Sequence, residues 1–214
     1  MFPFPIATPQ GCDIQTFYGA GAASATNWNK PTGVSHVYML LIGAGGTGDG
    51  AVGGGSGGVT VWYGAAQHVP QSLIVIPAAS GNNNSSRVSL RVSNSTSAGS
   101  VILQASSGSG TTPGAAITAP VFAAFGFYSS TAGQEGVSGA QSASTTNFLS
   151  GGSGGVTTGN YGYVVSDNRT GFFQMQPIIV GVGSSASNSG TAGIGCGGGY
   201  STPGGPGMVL IASW

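Results

Sequence analysis

One glycine pattern in the chain has the spacing of a dinucleotide-binding turn. Residues 43–48 read Gly-Ala-Gly-Gly-Thr-Gly and follow an apolar run, which satisfies G-x-G-x-x-G after a strand. That turn holds a pyrophosphate only where a helix begins, because the unpaired N–H groups of the helix N-terminus bind the phosphates. Residues 49–58 are mostly glycine, and each glycine costs about 0.8–1 kcal/mol in a helix interior. We therefore predict no cofactor at this position.

Two G-x-S-x-G pentapeptides, centred on Ser56 and Ser153, have the spacing of a hydrolase nucleophile. Such a serine needs a following helix, a histidine and an acid, and neither pentapeptide precedes a helix-forming sequence. His36 and His68 lie in or near predicted strands, where we expect hydrogen-bonded structural histidines. A pair of catalytic carboxylates would have to come from isolated loop acids, and no metal-ligand spacing occurs. We expect no enzymatic activity and no metal. The acidic residues are Asp13, Asp49, Glu135 and Asp167.

Charge is nearly absent from the chain. Charged residues make up 4% of it, with a formal net charge of zero, whereas a typical soluble domain carries about 25%. Nucleic acids and anionic membranes are bound by clusters of Lys and Arg, which are missing here. No apolar segment approaches the roughly 20 residues that cross a bilayer. We therefore expect no nucleic-acid partner, no membrane insertion, and association with other proteins or with further copies, since neutral surfaces repel each other little.

Short runs of β-branched and aromatic residues recur between turn-forming clusters, which predicts many short strands. They favour an all-β fold, either a sandwich or a jelly roll. A single all-β domain over 1–214 is expected, with the Ser/Thr/Ala-rich region from about 80 to 150 as a candidate separate lobe. The predicted strands are Ile14–Tyr18, Val34–Ile42, Val59–Tyr63, Leu73–Ile76, Arg87–Val92, Val101–Gln104, Val121–Tyr128, Tyr161–Val165, Phe172–Val182 and Met208–Trp214.

Two of these patterns also predict burial. Residues 38–42 and 209–211 are apolar on both faces of a strand, which is typical of central strands or of strands at a subunit contact. Residues 87–92 alternate strictly, which predicts one face in the core and the other in water. The core face would be Val88, Leu90 and Val92, and the solvent face Arg87, Ser89 and Arg91.

The glycine blocks leave two structures open. Glycine lacks Cβ and lets main chains approach closely, so the blocks either hydrogen-bond sideways as a packed glycine layer or form long loops at the ends of a sandwich. The heptapeptide GGSGGVT occurs at 54–60 and again at 151–157, either by chance or because the chain has two related halves. For Cys12 and Cys196 we expect small buried thiols, with a disulfide between them left open.

Four stretches of the chain resemble a known family. They are TNWNKPTGVSHVYMLLIGAGGTGDG at 26–50, GGGSGGVTVWY at 53–63, VPQSLIVIPAASG at 69–81, and GIGCGGGYSTPGGPGMVLIASW at 193–214. Their order is similar to the glycine-rich domains of bacteriophage tail fibres and related virion surface proteins. The resemblance covers Phe17–Gly81 and Gly193–Trp214, under half of the chain.

That resemblance implies a non-enzymatic protein on the outside of a phage virion, made in the host cytoplasm. It would be a tail-fibre or receptor-binding component, or a capsid-associated protein. The implied partners are other virion proteins, copies of the same chain, and a host-surface glycan or outer-membrane protein. The alternative class is a secreted, neutral, glycine-rich module that binds ice or carbohydrate.

Neutral amides and aromatic rings beside loops are the candidate recognition groups. Such side chains stack on, and hydrogen-bond to, uncharged glycans or exposed protein loops. The alternative is that the aromatics belong to the core or to subunit contacts. The exposed loops around 49–56, 81–85, 151–163 and 195–205 are expected to carry recognition. The candidate residues are Asn82, Asn83, Asn84, Tyr161, Tyr163 and Tyr200.

Overall fold

The chain folds as two antiparallel β-sheets packed face to face. A computed structural model describes residues 11–19, 25–50, 52–80, 84–91, 98–138, 153–154, 192–199 and 201–214. Within these residues helical structure is limited to two 3-10 turns, Ala66–His68 and Val121–Phe125, and neither is long or apolar enough to cross a membrane. The predicted all-β sandwich is confirmed.

The strands in the described residues are numbered in chain order. They are β1 (Asp13–Tyr18), β2 (Thr26–Asn29), β3 (His36–Ile42), β4 (Val59–Ala65), β5 (Ser72–Ile76), β6 (Ser86–Arg91), β7 (Ala98–Ala105), β8 (Gly126–Thr131), β9 (Val137–Ser138), β10 (Ser153–Gly154) and β11 (Met208–Ser213). One sheet has the order β1-β11-β3-β4-β8, and the other has the order β2-β5-β6-β7. β9 and β10 form a short parallel pair.

β3 and β11 are central strands, as their two-sided apolar sequences predict. Every residue of β3 after His36 is buried, and β11 is buried except for Leu210. The inner face of the five-stranded sheet and the facing sheet share one core. Its large members include Val37, Met39, Leu41, Trp62, Val209 and Ile211 from one sheet, and Trp28, Leu73, Val75, Val88 and Leu103 from the other.

The outer face of the five-stranded sheet is also apolar. Tyr38, Leu40 and Ile42 of β3 belong to a second cluster, and Ala192 and Cys196 pack into it from the segment that precedes β11. A sheet with apolar side chains on both faces needs cover on both faces. The 192–196 segment supplies part of that cover on the side away from the second sheet.

Lys30 has a structural role within the Lys-Pro-Thr-Gly-Val stretch before β3. Its Nζ donates hydrogen bonds to the main-chain oxygens of Ala66 and Val69, at 2.8 and 2.7 Å. These bonds join the chain after β2 to the 3-10 turn after β4. The charge of this half-buried lysine is therefore directed at main-chain oxygens of the fold.

The burial predicted along β6 is confirmed for Arg87, Val88 and Arg91 and is wrong for the two residues between Val88 and Arg91. Ser89 is buried, Leu90 is 37% exposed, and Val92 lies outside the described residues. The register between β6 and β7 shifts between Val88 and Ser89, and again between Ser89 and Arg91. The extra residues of these bulges lie in β7, because Val88 and Ser89 are adjacent whereas their partners Leu103 and Val101 are not. β6 itself keeps an unbroken register with β5, so its two faces still alternate.

Three other local expectations are corrected. Residues Val121–Phe125 form a 3-10 turn, closed by the hydrogen bond from Ala123 N–H to the Pro120 oxygen, and the strand begins only at Gly126. β2 was not predicted, because its sequence Thr-Asn-Trp-Asn is polar apart from the buried Trp28. Cys12 is exposed and unpaired, while Cys196 is buried as expected.

Tyr38 gives the fold a predicted sensitivity to alkali. Burial raises the pKa of Tyr38 from 10.0 to about 12. Since the folded-state value is the higher one, the stability contributed by the neutral phenol is present below pH 10 and is lost as the pH rises towards 12. This difference in pKa corresponds to about 3 kcal/mol in the free energy of unfolding.

We therefore expect Tyr38→Phe to lose less free energy of unfolding than the native chain between pH 9 and pH 12. Urea unfolding at several pH values measures this slope. The control is Tyr18→Phe, which removes the same hydroxyl from a side chain that is 52% exposed. Equal slopes for Tyr38→Phe and the native chain would contradict the prediction.

Candidate functional site

Glycine-rich segments are gathered at one end of the sandwich. β3 ends and β4 begins there, joined through residues 43–58. β7 and β8 also end there, and β11 begins there. We call the six segments at this end the glycine bundle, and the part next to the strands its root. The segments are 43–48, 52–58, 106–114, 132–136, 192–199 and 202–207.

The segments of the glycine bundle hydrogen-bond sideways through their main chains. Within several pairs of segments, the next hydrogen-bond donor lies three residues later in one segment and its acceptor lies three residues earlier in the other. These neighbouring segments are therefore antiparallel. A polyproline II helix has three residues per turn and makes no hydrogen bonds within itself, which leaves its N–H and C=O groups for its neighbours. The segments have this three-residue repeat. The pairs are Gly43 with Gly58, Gly46 with Gly55, Gly45 with Gly205, Gly48 with Thr202, Gly54 with Gly198, Gly57 with Gly195, Gly133 with Gly114, and Gly136 with Thr111.

Segment 52–58 lies in the middle of the bundle. Its N–H groups reach three neighbours in turn: Gly54 donates to Gly198, Gly55 to Gly110, and Ser56 to Gln134, at 2.7, 2.9 and 2.9 Å. Because these neighbours surround the segment, a Cβ added to Gly54, Gly55 or Gly57 would overlap their main chain. Segment 132–136 lies at the periphery of the bundle. Its glycines, Gly133 and Gly136, are three residues apart, and the exposed Glu135 lies between them. The density of glycine therefore follows the number of neighbours.

The bundle requires glycine because neighbouring main chains lie close together, more than because of the backbone angle φ. A Cβ added to Gly54 would lie within 3.0 Å of main-chain atoms of Gly46 and Gly198, and one added to Gly45 would meet Cys196 equally closely. Among the described glycines only four have positive φ: Gly33, Gly50, Gly110 and Gly195. Of the two structures left open by the sequence, the described blocks adopt the packed one.

Serine side chains fix the root of the bundle. The Oγ of buried Ser86 donates to the Ile42 oxygen at 2.6 Å and accepts from the Ala78 N–H at 2.9 Å. The Oγ of Ser107 donates to the Asn84 oxygen at 2.6 Å and accepts from the Ala44 N–H at 3.0 Å. These bonds connect the last residue of β3 and the start of segment 43–48 to the four-stranded sheet.

The far end of the bundle consists of turns, which we call the loop end. Asp49 accepts the N–H of Val52 on its Oδ1 at 2.8 Å, and Ser109 and Thr112 exchange main-chain hydrogen bonds across Gly110. A third turn joins Gly199 to Thr202. The loop end comprises residues 49–50, 52, 109–112, 134–136 and 201–203, held together by the bonds from Gly48 to Thr202 and from Gly136 to Thr111.

Hydroxyl groups and two carboxylates dominate the surface of the loop end. The exposed residues there are Asp49, Ser109, Gly110, Thr112, Glu135, Ser201 and Pro203. None of the described residues of the loop end is aromatic or cationic. This surface can donate and accept neutral hydrogen bonds and present two negative charges.

The predicted recognition residues are placed only in part. Asn84 is exposed and lies beside the root of the bundle, where its main-chain oxygen bonds to Ser107. Asn82, Asn83, Tyr161, Tyr163 and Tyr200 lie outside the described residues. Of the loops predicted to carry recognition, 53–56 and 195–199 are buried in the bundle. The turn at 109–112 was missed, although Gly108, Gly110 and Gly114 mark a third glycine block in the sequence.

Aromatic residues near the loops belong in part to the packing of the sheets. Trp62 is buried and packs on Phe122, with ring centroids 4.7 Å apart. Tyr63 stacks with His36 and Trp214 at the opposite end of the sheet from the bundle, with centroid separations of 5.6 and 5.9 Å. Trp62 is therefore a core residue, which is the alternative to a role in recognition.

The serine of the first G-x-S-x-G pentapeptide is not placed beside a histidine. Ser56 is buried, and its Oγ accepts the N–H of Gln134 at 2.7 Å. His36 lies at the start of β3, whose other end leads into the bundle. Across the described ranges no three side chains of His, Cys, Asp or Glu lie close enough together to hold a metal ion.

Comparison with known proteins adds no relative: no model of a protein family matches the chain, and no curated protein matches it.

The close packing predicts that single methyl groups destabilise the bundle. Gly54→Ala places Cβ against main chain that cannot rotate away, so we expect a loss of about 3 kcal/mol or more in the free energy of unfolding. Urea or thermal unfolding followed by circular dichroism measures the loss.

Gly11→Ala is the matched control, because nothing lies within 4 Å of its added Cβ. Its effect should stay within about 0.5 kcal/mol. Similar small effects for both variants would show that the glycine segments are loosely packed.

Proposed function

We propose that the chain is a non-enzymatic protein of the outer surface of a bacteriophage particle, and that the loop end of its glycine bundle binds the host cell. The observation that supports this most is the division between frame and turns. The frame consists of main-chain hydrogen bonds between glycine segments, and the turns are exposed where those segments reverse. Binding residues concentrate on loops that a rigid frame positions.

This construction suits a surface that varies while its frame stays constant. Main-chain hydrogen bonds do not depend on the side chains of the turns, so residues such as Ser109 and Thr112 are replaceable without repacking the bundle. A virion protein that adapts to new hosts needs this independence of recognition from folding. The resemblance of residues 17–81 and 193–214 to phage glycine-rich domains supports the same proposal.

The chemistry of the loop end favours an uncharged or weakly basic receptor. Hydroxyl and main-chain groups hydrogen-bond to sugar hydroxyls and to exposed protein loops. We propose a host-surface glycan or an outer-membrane protein as the receptor. The other partners would be virion proteins and further copies of the chain, which fits the small number of surface charges.

The loop end can be tested with paired charge variants. The fluorescently labelled chain is first applied to a panel of bacterial strains to find one that it binds. We expect Ser109→Arg combined with Thr112→Arg to weaken that binding at least about tenfold, or about 1.4 kcal/mol. The melting temperature should stay unchanged, since both side chains are exposed.

Thr26→Arg combined with Thr32→Arg is the control, because it adds the same charge at exposed threonines outside the bundle. Binding that responds equally to both pairs would remove the loop end from the proposal. Immunogold labelling of phage particles locates the chain. Label on the capsid would favour the capsid-associated protein, and a chain that labels no particle would favour the secreted ice- or carbohydrate-binding module.

A further inference from the structure

Strand β8 is an edge strand without the usual protection of an edge. It pairs with β4 on one side, from Val59 opposite Thr131 to Gly64 opposite Gly126, without a register shift. No hydrogen bond joins its other side to any strand of the described chain. Ile117 hydrogen-bonds to the side chains of Tyr128 and Ser130, not to the main chain of β8. Among the described residues, the one main-chain hydrogen bond that β8 makes outside its pairing with β4 is from the Gly126 N–H to the Ala123 oxygen.

The other three edges of the two sheets are each protected. Proteins shield edge strands with charged residues, short strands or bulges, because an open edge is a template for pairing with another chain. β1 carries Asp13, β2 has only four residues, and β7 is paired through register shifts. β8 reads Gly-Phe-Tyr-Ser-Ser-Thr and has none of these features.

Exposed apolar side chains continue this edge. Val121 is 87% exposed, Phe125 49% and Phe127 62%. Phe127 lies in β8, and the other two lie in the 3-10 turn directly before it. The ring of Phe125 stacks on His68 at 5.1 Å, which fixes its position. Adjacent exposed aromatic and aliphatic groups without charge are typical of the centre of a protein interface.

We infer that β8 pairs antiparallel with β8 of a second copy of the chain, so that two five-stranded sheets become one continuous sheet. In an antiparallel pair of identical strands, a charged residue near the two-fold axis lies close to its own copy and is repelled by it. No charged residue occurs between Arg91 and Glu135, so β8 and the turn before it meet their own copies without repulsion. A two-fold axis relates the two copies, and the pairing covers the unprotected edge of each copy.

This dimer does not depend on the proposed host-binding function. The interface lies along β8, and the loop end lies beyond the root of the bundle. Antiparallel pairing directs the two glycine bundles away from each other, so each copy keeps its loop end accessible.

Sedimentation equilibrium over a range of concentrations tests the interface. We expect the native chain to have twice its chain mass of 20.8 kDa at micromolar concentrations. A lysine on an edge strand blocks pairing with another chain. Ser129→Lys combined with Val121→Lys should therefore raise the dimer dissociation constant at least about tenfold, or about 1.4 kcal/mol.

Two control variants introduce lysine at exposed apolar residues elsewhere. Leu90→Lys lies on β6 and Ile14→Lys on β1, where the side chains are 37% and 52% exposed. Both should leave the dimer intact. A native chain that stays monomeric, or a dimer that Ile14→Lys dissociates while the β8 variant does not, would overturn the inference.

Folding is checked by circular dichroism on every variant. Should the double variant unfold, Val121→Lys alone decides, because a side chain that is 87% exposed contributes little to the folded monomer. A folded Val121→Lys chain with undiminished dimerisation would also overturn the inference.

Discussion

Direct hydrogen bonding between main chains that carry no side chains is the interaction on which this structure depends. At Gly43, Gly45, Gly54 and Gly57 the neighbouring backbone occupies the space that a Cβ would need. The segments therefore approach more closely than strands or helices with side chains could. The glycines of segment 52–58 allow it to be surrounded by partners, and its one serine uses its Oγ to accept the Gln134 N–H.

This arrangement has a large entropic cost, which the sandwich helps to offset. Glycine loses more conformational freedom on folding than any other residue. Each hydrogen bond returns only about 0.5–1.5 kcal/mol, so an isolated bundle would be marginal. Segments 43–48 and 52–58 are continuous with buried strands: β3 leads into segment 43–48, and segment 52–58 leads into β4. The bonds of Ser86 and Ser107 anchor the root of segment 43–48, so the sandwich restricts the conformations open to it.

The sequence predicted those parts of the fold that depend on local pattern. The runs in β3 and β11 that are apolar on both faces identified the central strands. The glycines after Gly48 indicated that no helix follows it. The register shifts between β6 and β7 were not predictable, because they arise only when the two strands pair, and the burial of Ser89 runs against its polarity. The turn at Val121–Phe125 has strand-like residues, and a 3-10 hydrogen bond back to Pro120 overrides their preference.

The candidate site was predictable in kind but not in assembly. The glycine blocks at 43–58 and 193–207 are compatible with a packed layer or with long loops, and their sequence does not show that segments 106–114 and 132–136 pack against them. These two segments join the bundle through contacts that appear only in three dimensions. Recognition was assigned to whole loops, whereas the structure buries their middles and exposes only the turns.

Hydrogen exchange of the bundle amides tests the central claim most directly. If the glycine segments are held by main-chain hydrogen bonds, the amides of Gly45, Gly54 and Gly57 will exchange about as slowly as those of β3 and β4, while the turns at 49–52 and 109–112 exchange faster. Exchange of Gly45, Gly54 and Gly57 at the rate of an unstructured chain, with β3 still protected, would contradict the account.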